Sequence, residues 1–345
     1  MPGKKSIKDT ICILPEHKGI GGPASFRARI ITGLEARGYS VHSNPLSDGT
    51  SSILVIGGTR RLDLLWAARQ RGIRIVQRLN GMNWVHRKTR TGFRHFMRSE
   101  INNWILATIR RSLADEIIYQ SQFTQDWWNK IYGTIKTPAS VIYNGVDLAE
   151  YSPSGKGRLP VDRIRILVIE GRFEGGYHVG LQNAVNLANS LRQKTGQKVE
   201  LMVVGDAPER LRSEFSSKNW ITWKGVVARE QIPELCRSSH LLFSADIKAA
   251  CPNSVIEALS CGLPVISYDT GALKEMIGDK AGAIRDYGAD FSELEPAKPD
   301  ELSIACLKIL KGLASYRRAA REQATSLFDV DQMVDDYLKI LVKKP

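Results

Sequence analysis

The chain has no pair of cysteines at CxxC spacing; Cys12, Cys236, Cys251, Cys261 and Cys306 are scattered and odd in number. Neither a disulfide framework nor a structural zinc site is expected, and the thiols read as those of a reduced, cytoplasmic protein. No run approaches the ~20 apolar residues that a membrane-spanning helix requires. The opening MPGKKSIKDTICILP lacks the apolar core of a signal peptide and leads straight into a first strand. Neither half carries G-x-G-x-x-G with an acidic residue ~20 positions later, which disfavours a nicotinamide-dependent dehydrogenase. Repeats, low-complexity tracts and nucleic-acid-binding motifs are missing too, so solenoids and nucleic-acid partners are not expected.

What is present is unevenly distributed. The 345 residues suffice for two domains with separate cores. The net charge of +13 belongs wholly to the first half: residues 1–158 hold 24 Lys and Arg against 11 Asp and Glu, whereas residues 159–345 hold 25 of each. A basic half beside a neutral one points to one domain facing an anionic partner, or to a solvated basic face.

Short β-branched runs alternate with amphipathic segments, the pattern of parallel sheets with crossover helices. Strands are expected at 10–14, 53–56, 73–77 and 139–142, then at 164–169, 199–204, 220–223, 240–243 and 263–267. The Pro-, Gly- and Ser-containing stretch 151–163 reads as a linker. The expected division is residues 1–155, 156–325 and a C-terminal helix over 326–345. In the first half a strand runs into EHKGIGGP and then a helical pattern, so Gly21 and Gly22 stand where backbone N–H groups and a helix N-terminus suit a phosphate or form a plain tight turn.

The most informative passage is ACPNSVIEALSCGLPVI, starting at Ala250 and ending at Ile266. Ser254 and Glu257 have capping-box spacing, in which the glutamate satisfies a helix-terminal N–H. The same carboxylate, near the strand ends of an open α/β sheet, could instead accept two ribose hydroxyls. Both readings stand on chemistry alone.

The passage resembles the C-terminal signature of the retaining family 4, or group 1, glycosyltransferases. Glu257-Ala258, Gly262-Leu263-Pro264-Val265, Thr270-Gly271 and Glu275 fall in register with it. Gly171-Arg172-Phe173, Val203-Val204-Gly205-Asp206-Ala207-Pro208, Tyr143-Asn144-Gly145-Val146-Asp147 and Gly21-Gly22 resemble four further family motifs. The resemblance implies an α/β protein of the GT-B type, two Rossmann-like domains facing each other across a cleft, with the C-terminal helix returning to the first. It implies transfer of a sugar from a nucleoside diphosphate-sugar to a hydroxyl acceptor with retention, in polysaccharide, lipopolysaccharide or glycolipid synthesis, with no metal and no cofactor. By position, Glu257 would bind the donor ribose and Arg172 the pyrophosphate, with Gly21 and Gly22 at the same phosphates. Cys251, Pro252, Asn253 and Ser254 would line the sugar pocket, and Gly205 and Val226 would edge the nucleobase.

Three departures accompany the likeness. Ala249 stands where the family carries the first glutamate of E-x7-E, and the lysine expected after Arg172 is missing from Phe173–His178. Asn80 is the nearest equivalent of a family histidine, so the catalytic candidates are Arg172 and Asn80. These losses motivate an alternative, a catalytically weakened sugar-nucleotide-binding scaffold. Lastly, Arg87, Arg90, Arg94 and Arg98 recur at helical steps beside the apolar Met97, Ile101 and Trp104. Such a helix either packs its apolar stripe on the sheet or lies on an anionic membrane, as a peripheral protein holding its acceptor at the inner face.

Overall fold

The computed structural model describes residues 9–16, 21–90, 92–173 and 177–343. The chain divides into two compact units, Met1–Gly145 with Val330–Pro345, and Val146–Asp329. Residues 17–20 and 174–176, which belong to two of the sequence motifs above, lie outside the described residues.

The first unit is built on six parallel strands: β1 (Thr10–Leu14), β2 (Ser40–His42), β3 (Thr50–Ile56), β4 (Arg74–Leu79), β5 (Glu116–Tyr119) and β6 (Ala139–Val141). Their order is β2-β1-β3-β4-β5-β6. Side chains alternate between two buried faces, as a parallel sheet covered on both sides demands. Cys12, Ile53, Val55 and Ile75 meet one apolar cluster with Leu65, Ile109 and Trp128. Ile11, Ile13, Leu54 and Val76 meet another with Phe26, Ile30 and Leu34 of helix Gly22–Ala36.

The C-terminal helix Val330–Leu341 completes that second face. Its buried Met333, Val334, Tyr337, Ile340 and Leu341 recur at helical spacing and form one stripe. Gly33 makes the contact possible, since a Cβ there would stand 2.4 Å from Val334 Cγ2. Arg37 anchors the helix start through Asp331 at 3.1 Å and Asp335 at 2.6 Å.

The second unit holds β7 (Ile164–Arg172), β8 (Val199–Asp206), β9 (Ile221–Gly225), β10 (Leu241–Phe243), β11 (Val265–Tyr268) and β12 (Gly282–Arg285). Their order is β12-β11-β10-β7-β8-β9, again all parallel. Its central strand β7 is flanked by β8 and β10, so the strand order switches direction between β7 and β10, as in Rossmann folds. The α/β class and the paired Rossmann-like architecture expected from the sequence are both present. Strands β2, β5 and β12 were not expected. The first two are runs of three and four residues, and β12 opens on Gly282, which weakens a strand pattern.

Candidate active site

In the second unit the residues singled out from the sequence gather along the carboxyl edge of the sheet. Arg172 ends β7, Gly205 and Asp206 end β8, and Val226 follows β9. The loop from Ser244 to Pro252 follows β10 and leads into helix Asn253–Ser260. That edge, at a switch in strand order, is where open parallel sheets receive ligands. Gly205 is needed there, because a Cβ would lie 1.9 Å from the Glu170 carbonyl oxygen and its φ is +133°. β8 therefore closes tightly on the end of β7, and Arg172 pairs with Asp206 beyond a shift in register after Ile169.

Glu257 lies on helix Asn253–Ser260 and is buried. The helix begins one residue earlier than its sequence pattern indicates, with Pro252 as its cap and no side-chain capping bond. Ser254 therefore stands inside the helix, and the capping-box reading of Ser254 and Glu257 is overturned. Cys251 is buried, while Pro252, Asn253 and Ser254 are partly exposed. Arg172 is 62% exposed, and its Nε donates to Asp206 Oδ2 at 3.0 Å. An exposed pair of this kind contributes only ~0–1 kcal/mol and gives way readily to a stronger anion.

Ala249 is fully buried, and its carbonyl accepts from Ala272 N at 2.8 Å. The position is thus packed beneath the loop after β11. Lys248 beside it adopts φ +60°, and its ammonium lies 5.8 Å from the centre of the Phe291 ring. Sequence reasoning missed Glu170, at the end of β7, and Asp246, in the loop after β10. Burial, then the nearby Asp246 charge, pushes the Glu170 carboxyl well above the usual carboxylate range. One Glu170 oxygen is buried without a partner. A glutamate inside an apolar strand run was the available signal.

In the first unit Gly21 caps helix Gly22–Ala36 with an extended backbone, and both Gly21 and Gly22 are exposed. Next to them lies a pocket of about 250 Å³ at the carboxyl ends of β3 and β4. Its polar wall is Thr59, Arg60, Asn80, Asn83 and Asn102; Pro23, Ile56, Ile105 and Leu106 supply the apolar wall. Asn80 is held from behind. Arg78, itself buried on β4, donates from Nη1 to Asn80 Oδ1 at 2.7 Å and from Nη2 to Asn144 Oδ1 at 2.7 Å. Its guanidinium stacks on Phe26, 3.8 Å from the ring centre. Arg78 is a third residue that the sequence pattern did not reveal, since a cation within a strand reads as an edge position.

The basic segment differs from its sequence reading. The helix runs only over Phe93–Thr108, with Gly92 as its cap, so Arg94 and Arg98 share it while Arg87 lies in a short turn and Arg90 precedes the helix. Arg87 donates to Glu100 at 2.6 and 2.8 Å, and the same carboxylate meets His86 at 2.6 Å. The Arg87 and His86 bonds hold the Glu100 carboxyl down to about 2. Arg90, Arg94 and Arg98 are exposed. Phe93, Met97, Ile101 and Trp104 are 80, 41, 47 and 61% exposed, forming a stripe at helical steps that does not pack on the sheet. Among the described residues no helix is long and apolar enough to cross a membrane.

Known proteins share this architecture. The profile of the family described as "Glycosyl transferases group 1" matches residues 164–311, and that of "Glycosyltransferase Family 4" matches residues 59–150. Sucrose-phosphate synthase from Thermosynechococcus elongatus has the same fold with a TM-score of 0.74 at 16% identity, over 96% of this chain and 98% of that one. HepE from Anabaena, solved in complex with UDP and glucose, superposes with a TM-score of 0.67 at 18% identity, over 96% of this chain and 98% of its own. A phosphatidylinositol N-acetylglucosaminyltransferase subunit of Arabidopsis thaliana is 27% identical over 150 residues, 41% of this chain and 32% of that protein. The matched segment thus spans about a third of the length of the curated relatives.

Proposed function

The chain belongs to the group 1 glycosyltransferases of family 4, and we propose that it moves a sugar from a nucleoside diphosphate-sugar to a hydroxyl acceptor with retention of configuration. The observation that carries this reading is the gathering of Arg172, Gly205, Val226, the 251–254 loop and Glu257 along one carboxyl edge of a Rossmann-ordered sheet. Glu257 accepts the ribose hydroxyls. Arg172 leaves Asp206 for the pyrophosphate, where a fixed guanidinium stabilises the charge that grows on the departing diphosphate. Uridine diphosphate is the expected nucleotide, as in the HepE complex. In the first unit Asn80 belongs to the acceptor side.

The acceptor is read as a lipid-linked glycan or glycolipid held by the first unit at an anionic membrane surface. The exposed Phe93, Met97, Ile101 and Trp104 supply an apolar face, and Arg90, Arg94 and Arg98 supply charge for acidic head groups. The curated relatives named for phosphatidylinositol point the same way.

A thermal-shift and hydrolysis screen against UDP-, GDP-, ADP- and TDP-sugars tests the donor reading, with Glu257→Ala and Arg172→Ala alongside. A ligand that binds the folded state raises the melting temperature by mass action. Stabilisation by one nucleotide class, lost in both variants and joined by sugar release, supports the enzyme. Stabilisation without release, even with lipid extract present, favours the scaffold alternative. No shift with any sugar nucleotide removes the assignment of Glu257 and Arg172.

A further inference from the structure

We propose that the pocket of the first unit is an oxyanion site, taking a phosphate or carboxylate group carried by the acceptor. Arg78 has no acceptor atom, so the Asn80 oxygen must be the atom facing it at 2.7 Å. The group that Asn80 leaves for the pocket is therefore its amide NH2, a donor and not a base.

Four backbone carbonyls of the pocket lining accept side-chain hydrogen bonds. The Gly57 and Leu106 oxygens accept from Gln77 Nε2 at 2.8 and 3.1 Å. Trp128 Nε1 donates to the Asn80 carbonyl oxygen at 2.8 Å, and Asn103 Nδ2 to that of Asn83 at 2.8 Å. On the same wall the Asn80 amide NH2 and the Arg60 guanidinium are donors, while the Asn83 and Asn102 amides carry both functions. Among the described residues the lining includes Arg60 and no Asp or Glu.

Two helix N-termini add to the same sign. Pro23 lies in the first turn of Gly22–Ala36, and Thr59 and Arg60 lead into Leu62–Gln70. The N–H ends of helices favour negative charge. The Arg78 cation behind Asn80 polarises the amide further in the same direction. A neutral sugar hydroxyl would leave this excess of donors unmatched. An oxyanion matches it, and the first unit's +13, from 25 Lys and Arg against 12 Asp and Glu, attracts one.

The inference rests on the reading that the first unit holds the acceptor, yet its test needs no turnover. Inorganic phosphate, glycerol 3-phosphate and glucuronate are titrated into the full chain at low salt, with glycerol and glucose as neutral controls and UDP in a parallel series. The variants are Asn80→Asp, which keeps the shape and the Arg78 partner while turning a carboxylate towards the pocket, and Arg60→Gln. At least one oxyanion should bind in preference to both neutral controls, weakening by roughly tenfold or more in Asn80→Asp and less in Arg60→Gln. Preference between the phosphate compounds and glucuronate tells which oxyanion the acceptor carries. UDP binding should persist in Asn80→Asp; if UDP never binds while this pattern holds, the donor reading fails and the oxyanion site stands. Equal binding of glucose and the oxyanions, undiminished oxyanion binding in Asn80→Asp, or no oxyanion binding at all overturns the proposal.

Discussion

The two units share one architecture and use charge in opposite ways. Each is a six-stranded parallel sheet with helices on it, yet the first carries all the excess positive charge and the second is neutral. In the first, arginines serve structure as well as surface. Arg78 is buried behind a pocket, Arg110 is buried against Tyr119, and Arg87 holds a carboxylate down. In the second, a carboxyl is buried near the carboxyl edge of the sheet, where burial and then the nearby Asp246 charge push Glu170 well above the usual carboxylate range. A shared layout thus leaves the charge at each carboxyl edge to a few side chains at the strand ends.

This contrast is most open to refutation in the second unit. Glu257→Ala should weaken UDP binding by roughly 10- to 100-fold, the cost of removing a charged hydrogen-bonding group from a buried site. Calorimetric titration checks this, and binding within a factor of about two of wild type would remove Glu257 from the site.

Next comes the packing that only the first unit has. Gly33→Leu should destabilise it by about 1–3 kcal/mol, because the new side chain meets Val334 of the C-terminal helix. Denaturant melts followed through the Tyr337 and Trp128 environments check the loss; unchanged stability would mean that the helix is not held there.

Membrane binding puts the charge difference to a direct test. Vesicles of phosphatidylcholine with phosphatidylglycerol should sediment the wild type, and pure phosphatidylcholine should do so far less. Arg94→Glu with Arg98→Glu should abolish the preference, at about 1 kcal/mol per charge. Phe93→Ser with Trp104→Ser should weaken binding to both. Equal binding by the arginine variants would refute the charge component.

The smallest effects are opposite responses to pH. Glu100 has a folded pKa of about 2, below its ordinary 4.5, so its stabilisation is present above the ordinary value and is lost as pH falls towards 2. Glu170 is raised above 4.5, so the folded state keeps a proton that the unfolded state releases, and the cost grows as pH rises past the ordinary value. Acidification from about pH 6 to about pH 3 should loosen the first unit and tighten the second. Glu100→Gln and Glu170→Gln should each flatten one of these slopes in pH-dependent calorimetry.

Much of this was legible in the sequence because it is periodic or local. The apolar runs at 10–14, 164–169 and 199–204 read as strands and are strands, and Glu257 with its Gly-Leu-Pro-Val continuation lies at the carboxyl edge of the second sheet. The shorter strands β2, β5 and β12 were not legible, since they gain their stability from neighbours already in place. The α/β class, the two series of strands and the charge imbalance follow from spacing and composition, and the family from the resemblance of local motifs such as Glu257-Ala258 and Gly262-Leu263-Pro264-Val265. Other features emerge only once the chain is folded: Ser254 sits inside its helix, Arg87 is tied to Glu100, and Met97, Ile101 and Trp104 face outwards. Folding also sets Arg78 behind Asn80, fixing which end of that amide a ligand meets. The cause is the same in each case: a side chain's partner and orientation depend on groups distant in the chain, which no local pattern encodes.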